Sequence, residues 1–168
     1  MSQEPPDSVD VVLSSWARER PDLELWPLSV VARIMRFSRH LERELKEFLD
    51  RHNLEPGEFD LLTTLRRTGQ EEGLTAGAFR RSTLVTAGAI TNRIDKLTEK
   101  GLVTRTHDTV DRRVVRITLT DRGRTLIDTL LPEHLANYAK LLRPLHREEA
   151  EVLADTLRSI LRQYGDTP

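Results

Sequence analysis

The side chains with the most chemistry to offer here are guanidiniums, and two of them sit together. Asp111-Arg112-Arg113 separates two strand-like runs, residues 102–106 and 114–119. The second run alternates Val115, Ile117 and Leu119 with Arg116, Thr118 and Thr120, a period of two. The pattern predicts a β-hairpin tipped by arginines, a shape that can enter the narrow groove of a DNA duplex or rest on its phosphates. Asp111 is expected to hold one of these arginines in a bidentate pair and so orient it.

Just ahead lies Thr86-Ala87-Gly88-Ala89-Ile90-Thr91-Asn92-Arg93, which opens a helix predicted over residues 87–100. Thr86 suits the N-cap and Gly101 the left-handed stop. Ala87 and Gly88 are small enough to let a backbone approach base edges in the wide groove. Thr86, Thr91, Asn92, Arg93 and Lys96 can exchange hydrogen bonds with bases or phosphates. Ile90, Ile94 and Leu97 fall on the opposite face, toward a core. Taken alone, the helix reads equally well as ordinary surface helix and the hairpin as a solvated charged loop. Their succession is what points to double-stranded DNA.

Charge supports that reading once it is divided along the chain. The 168 residues carry 26 Lys or Arg against 27 Asp or Glu, a formal net charge of −1. Residues 86–124 hold nine basic and five acidic side chains, a local +4 that leaves −5 for the remainder. A basic segment on an acidic body can attract phosphates without making the whole protein basic. The five histidines are scattered without ligand spacing, and there is no Walker loop, GxSxG, HExxH or glycine-rich nucleotide fingerprint, so no enzyme and no metal or cofactor is expected. With no cysteine, disulfides, thiol redox sensing and thiolate metal sites are excluded. The acidic start, MSQEPPDSVD, is unlike a secretory leader, and no run approaches the ~20 apolar residues of a membrane span. A cytoplasmic protein without membrane contact is expected.

The elements around these residues are mostly helical. Residues 1–7 read as a disordered tail, and a helix over 8–19 follows, with Ser8 as N-cap and Pro21 beyond its end. A long helix over 28–51 carries a stripe through Val31, Ile34, Met35, Ser38, Leu41, Leu45, Phe48 and Leu49. Helices over 57–67 and 75–82 precede the reading helix. After the hairpin, one helix starts at 120, with Pro132 expected to kink it and Pro144 to end it, and a last helix covers 147–163. The fold class is mainly α (α+β), a winged helix-turn-helix with N- and C-terminal dimerisation helices. The expected division is 8–53 for dimerisation and effector, 54–120 for DNA and 121–168 for dimerisation. The flanking helices have more apolar surface than one small core can use, and a second copy is the simplest cover.

Residues 88–123, GAITNRIDKLTEKGLVTRTHDTVDRRVVRITLTDRG, resemble the recognition helix and wing of the MarR family of bacterial transcriptional regulators. The resemblance covers about residues 28–163, and its most specific part is the DRR wing followed by LT-x-x-G. It implies a homodimer that binds an inverted-repeat operator, usually as a repressor. Val114 departs from the small residue common after the two arginines, so the hairpin bend is open to difference there. A narrower resemblance, carried by Trp16 to Leu23, Phe59-Asp60 and the extra first helix, is to the urate-responsive branch of that family. It implies an effector site of Trp16, Asp60, Arg93 and Arg105 for a small anionic aromatic ligand such as urate. An aromatic face and two guanidiniums suit a flat anionic purine, and a ligand held at Arg93 would pull on the reading helix. Other roles stay open: Trp16 as a core or interface anchor with Trp26 as the alternative aromatic partner, Asp60 as a cap or ion-pair partner, Arg105 as a phosphate contact. So do a regulator with no effector and a winged-helix module that binds protein, although the latter would favour an acidic or apolar wing.

Overall fold

The computed structural model describes residues 5–69, 73–75, 77–79, 87–108 and 111–166. The chain divides into two units, residues 1–56 and 57–168.

In the first unit, α1 (Ser8–Glu19) packs on α2 (Trp26–Asp50). The cap of α1 is Asp7, one residue before the expected Ser8, which moves Asp7 out of the tail and into the helix start. Its carboxylate accepts the N–H groups of Val9 at 2.8 Å and Asp10 at 3.0 Å, while the Asp10 carboxylate accepts the Asp7 N–H at 2.9 Å. This reciprocal box satisfies donors that a helix start leaves orphaned. The Asp10 N–H, aided by Arg33, holds the Asp7 carboxyl below its usual range. Arg33 of α2 reaches both acids, 3.0 Å from Asp7 and 2.7 Å from Asp10. Of the stripe expected on α2, Phe48 and Leu49 are buried, but Val31, Ile34 and Met35 remain about half exposed.

The second unit begins with α3 (Pro56–Thr68), whose Phe59, Leu62 and Leu65 enter the core on the expected face, joined by Leu61. Then come β1 (Leu74–Thr75), α4 (Ala87–Glu99), β2 (Val103–His107), β3 (Val115–Leu119), α5 (Asp121–Leu141) and α6 (Arg147–Arg162). The sheet has three antiparallel strands in the order β1-β3-β2, not the two expected. Leu74 pairs with Ile117 and Thr75 with Arg116, so Thr75 belongs to a strand, and its hydroxyl also accepts the Ala78 N–H at 3.1 Å beside the helical residues that follow. Two residues are too few for a period of two to show in sequence. Residues 77–79 are helical, and the rest of the helix expected over 75–82 lies outside the described residues.

Two junctions frame α4. Gly101, at φ +66°, ends α4 in the left-handed conformation, with the Leu102 N–H returning to the Leu97 carbonyl at 2.9 Å. At the other junction Thr120 caps α5. Its hydroxyl accepts the Gly123 N–H at 3.0 Å and donates to the Gly101 carbonyl at 2.8 Å, and its own N–H donates to the Leu102 carbonyl at 3.1 Å. Gly123 is needed for space, because a Cβ there would overlap the Leu102 carbonyl. Gly123→Ala should therefore lower the urea midpoint by the equivalent of about 2 kcal/mol, because backbone rather than a mobile side chain must move. An unchanged midpoint would mean that α5 can slide off Leu102 freely.

α5 continues through Pro132, which is tolerated, and stops before Pro144. Its His134 is buried, 5.1 Å from the Phe59 ring and 4.1 Å from that of Tyr138. Burial pushes the imidazole down and the Tyr138 phenol up. No residue of α6 is buried, and Leu153, Leu157, Ile160 and Leu161 form an exposed apolar stripe.

Candidate nucleic-acid interface

α4 is amphipathic as its sequence requires. Ile90, Ile94 and Leu97 are buried, and Thr91, Asn92 and Lys96 are exposed on the other face. Ala87 and Gly88 occupy its first turn, while Thr86 lies outside the described residues. α4 packs against β2, and Arg105 of β2 reaches back to Asp95 of α4 at 2.5 Å. At its C-terminal end Lys100 pairs at 2.7 Å with Glu58 of α3, whose side chain is fully buried.

The wing is built differently from the expected arginine–carboxylate clamp. The Asp111 carboxylate accepts the backbone N–H of Arg113 at 2.9 Å, and among the described residues it takes no guanidinium. An Asx turn is a natural use of a short carboxylate two residues before its donor. Asp111 thus shapes the tip through the backbone, and the side-chain pairing falls to Asp108. That residue accepts Arg116 Nε at 2.6 Å and the Asp111 N–H at 3.2 Å. Val114 closes the turn, donating to the Asp111 carbonyl and accepting from the Asp108 N–H, both at 2.9 Å. The His107 ring Nδ1 lies 2.8 Å from the Arg112 carbonyl. A carbonyl only accepts, so Nδ1 carries the proton in that bond. Sequence reasoning missed Asp108, His107 and Arg116, although an Asp-x-x-Asp in a basic loop is a legible turn signal. The outcome is a tip whose backbone is held from three directions. Arg112 and Arg113 are exposed, and among the described residues their guanidiniums have no protein partner.

The four residues of the expected effector set divide between the two units. Trp16 is on α1 and 46% exposed, and Trp26, at the start of α2, is 69% exposed. Asp60, Arg93 and Arg105 belong to the second unit. Asp60 and Arg93 lie close enough to act on one another: desolvation raises the Asp60 carboxyl, while the charges of Arg67 and Arg93 draw it back down. Arg105 is engaged by Asp95 instead. Among the described residues no three His, Asp or Glu side chains converge to hold a metal ion. No helix among them is long and apolar enough to cross a membrane.

Known proteins share this fold. Residues 52–114 match the model of the MarR family. The chain is 33% identical over 141 residues to the HTH-type transcriptional regulator PecS of Dickeya dadantii, covering 84% of this chain and 85% of PecS. The structure of a mutant MarR from E. coli complexed with operator DNA superposes with a TM-score of 0.67 at 24% identity, covering 87% of this chain and 97% of that one. Bordetella bronchiseptica BpsR, whose DNA binding is regulated by 6-hydroxynicotinic acid, gives 0.69 at 22% identity over 83% of this chain and 94% of its own. The fold is a winged helix-turn-helix. The chain belongs to the MarR family.

Proposed function

We propose that this MarR-family regulator binds double-stranded operator DNA as a homodimer, with α4 in the wide groove and the wing arginines in or beside the flanking narrow groove, and represses until a small aromatic or purine anion releases it. The observation that carries the DNA reading is the wing tip, where two guanidiniums with no acid among the described residues stand on a backbone fixed by Asp108, Asp111 and His107. Thr91, Asn92, Arg93 and Lys96 are the proposed contacts of α4, with Thr86, Ala87 and Gly88 at its approach. The exposed apolar residues of α2 and α6 support a second copy as their cover, since patches of that kind rarely face water. Two copies would set their α4 helices roughly 34 Å apart, one turn of the duplex.

Trp16, Asp60, Arg93 and Arg105 remain the proposed effector residues, with urate as the representative ligand. The nearness of Arg93 and Asp60 favours the set. The hold of Asp95 on Arg105 favours a second reading, a regulator without an effector, because an anion at Arg105 has to displace a carboxylate. The test is a mobility shift with DNA flanking the gene, with and without urate, alongside a tryptophan-emission titration. The expected results are a specific complex that urate dissolves, and quenching that persists in Trp26→Phe but disappears in Trp16→Phe. A urate-insensitive complex with equal quenching in both variants leaves the second reading. No preference for any duplex at low salt overturns both.

A further inference from the structure

We propose that Gly57 is a positioning residue whose missing side chain forms the seat of the Arg93 guanidinium, latching the reading helix onto the first turn of α3. The proposal rests on the reading of α4 as the DNA-reading helix, and it adds a residue that no motif picked out. Gly57 lies in the first turn of α3 and is not among the positive-φ glycines, so the backbone conformation gives no reason for it. Space does. A Cβ at position 57 would collide with Nε, Cζ and Nη2 of Arg93, so the guanidinium rests directly on the backbone of that residue.

The neighbouring residues make this one half of a two-point attachment. Glu58 takes Lys100 at 2.7 Å. Arg93 and Lys100 are seven residues apart, two helical turns, and so lie on the same side of α4. The first turn of α3 therefore grips α4 at its middle through Gly57 and just past its end through Glu58. Arg93 adjoins Asn92, which is exposed on the reading face. A guanidinium held in its seat keeps that face at one rotation about the helix axis, and one lifted out releases it. Asp60, three residues beyond Gly57, feels the Arg93 charge and reports on the latch.

The experiment is a double-mutant cycle between Gly57→Ala and Arg93→Ala, read by operator affinity relative to nonspecific duplex and by the titration of the Asp60 carboxyl in NMR. The displaced atoms are the far end of a flexible side chain and alanine favours helix, so Gly57→Ala should keep or raise the urea midpoint. It should lower operator discrimination roughly tenfold when Arg93 is present and not at all in the Arg93→Ala background. The Asp60 carboxyl should titrate higher in Gly57→Ala than in wild type and no higher in the double variant than in Arg93→Ala. Equal losses in both backgrounds, or an Asp60 titration that ignores Gly57→Ala, would overturn the seat. A wild-type protein that binds no duplex would remove the DNA reading but would leave the Asp60 titration to decide the seat by itself.

Discussion

Replacing Arg112 and Arg113 together by alanine should weaken operator binding by roughly 100-fold or more, since well-placed arginines in a groove are each worth about 1–3 kcal/mol. The size of the effect follows from the state of the two side chains before DNA arrives. Most arginines of the second unit for which partners are described have a carboxylate nearby: Arg66 has Asp128, Arg105 has Asp95 and Arg116 has Asp108. Among the described residues, Arg112 and Arg113 have no such partner to give up. The backbone of the tip is already ordered by Asp111 and His107, so less entropy is lost on binding. The slope of log affinity against log salt should fall by about one for each guanidinium that leaves a phosphate. Arg112→Lys separates the contributions: it should keep most of the salt slope while losing preference for sequence, because lysine lacks the planar fork. Anisotropy titrations across a salt series measure both quantities. An unchanged affinity and slope in the double alanine variant would leave the wing with no part in recognition.

The other large effect is on stability. Lys100→Met should destabilise the protein by about 2–3 kcal/mol, because it removes the ammonium 2.7 Å from the carboxylate of Glu58, 0% exposed. The loss of a methylene-rich stem cannot explain such a value, as methionine replaces most of it. Adding Glu58→Gln should restore much of the loss, since a neutral amide is far cheaper to bury than a charge. Urea denaturation of the two single variants and the double variant tests this. If Lys100→Met costs less than about 1 kcal/mol, the pair behaves as a surface ion pair and the anchor of α4 on α3 lies elsewhere.

The parts of this fold that were legible are those whose physics is local. The burial of Ile90, Ile94 and Leu97 follows from their spacing, and the stop at Gly101 follows from the need for a positive φ. The Leu-Thr-x-x-Gly segment after β3 was visible as a motif, and its cause is now specific: Thr120 bridges two backbones and Gly123 leaves room for a carbonyl. Asp7 and Asp111 were misassigned for the same reason. A short carboxylate has several backbone donors within reach, and which one it takes depends on turn geometry that residue types do not specify. β1 was missed because its two residues owe their conformation to β3, a partner more than forty positions away.

By itself, the order of residues determined the amphipathic helix α4, its glycine stop, the arginine-tipped hairpin and the concentration of positive charge around them, because each depends on neighbours within a turn or two. Only the tertiary structure decided the partners: Arg105 on Asp95, Lys100 on the buried Glu58, Arg93 on the bare backbone of Gly57, and no protein acid for Arg112 or Arg113 among the described residues. The physical reason is reach. A guanidinium or ammonium at the end of a long stem can serve any acid within several ångströms, and packing of distant segments is what brings one acid there rather than another.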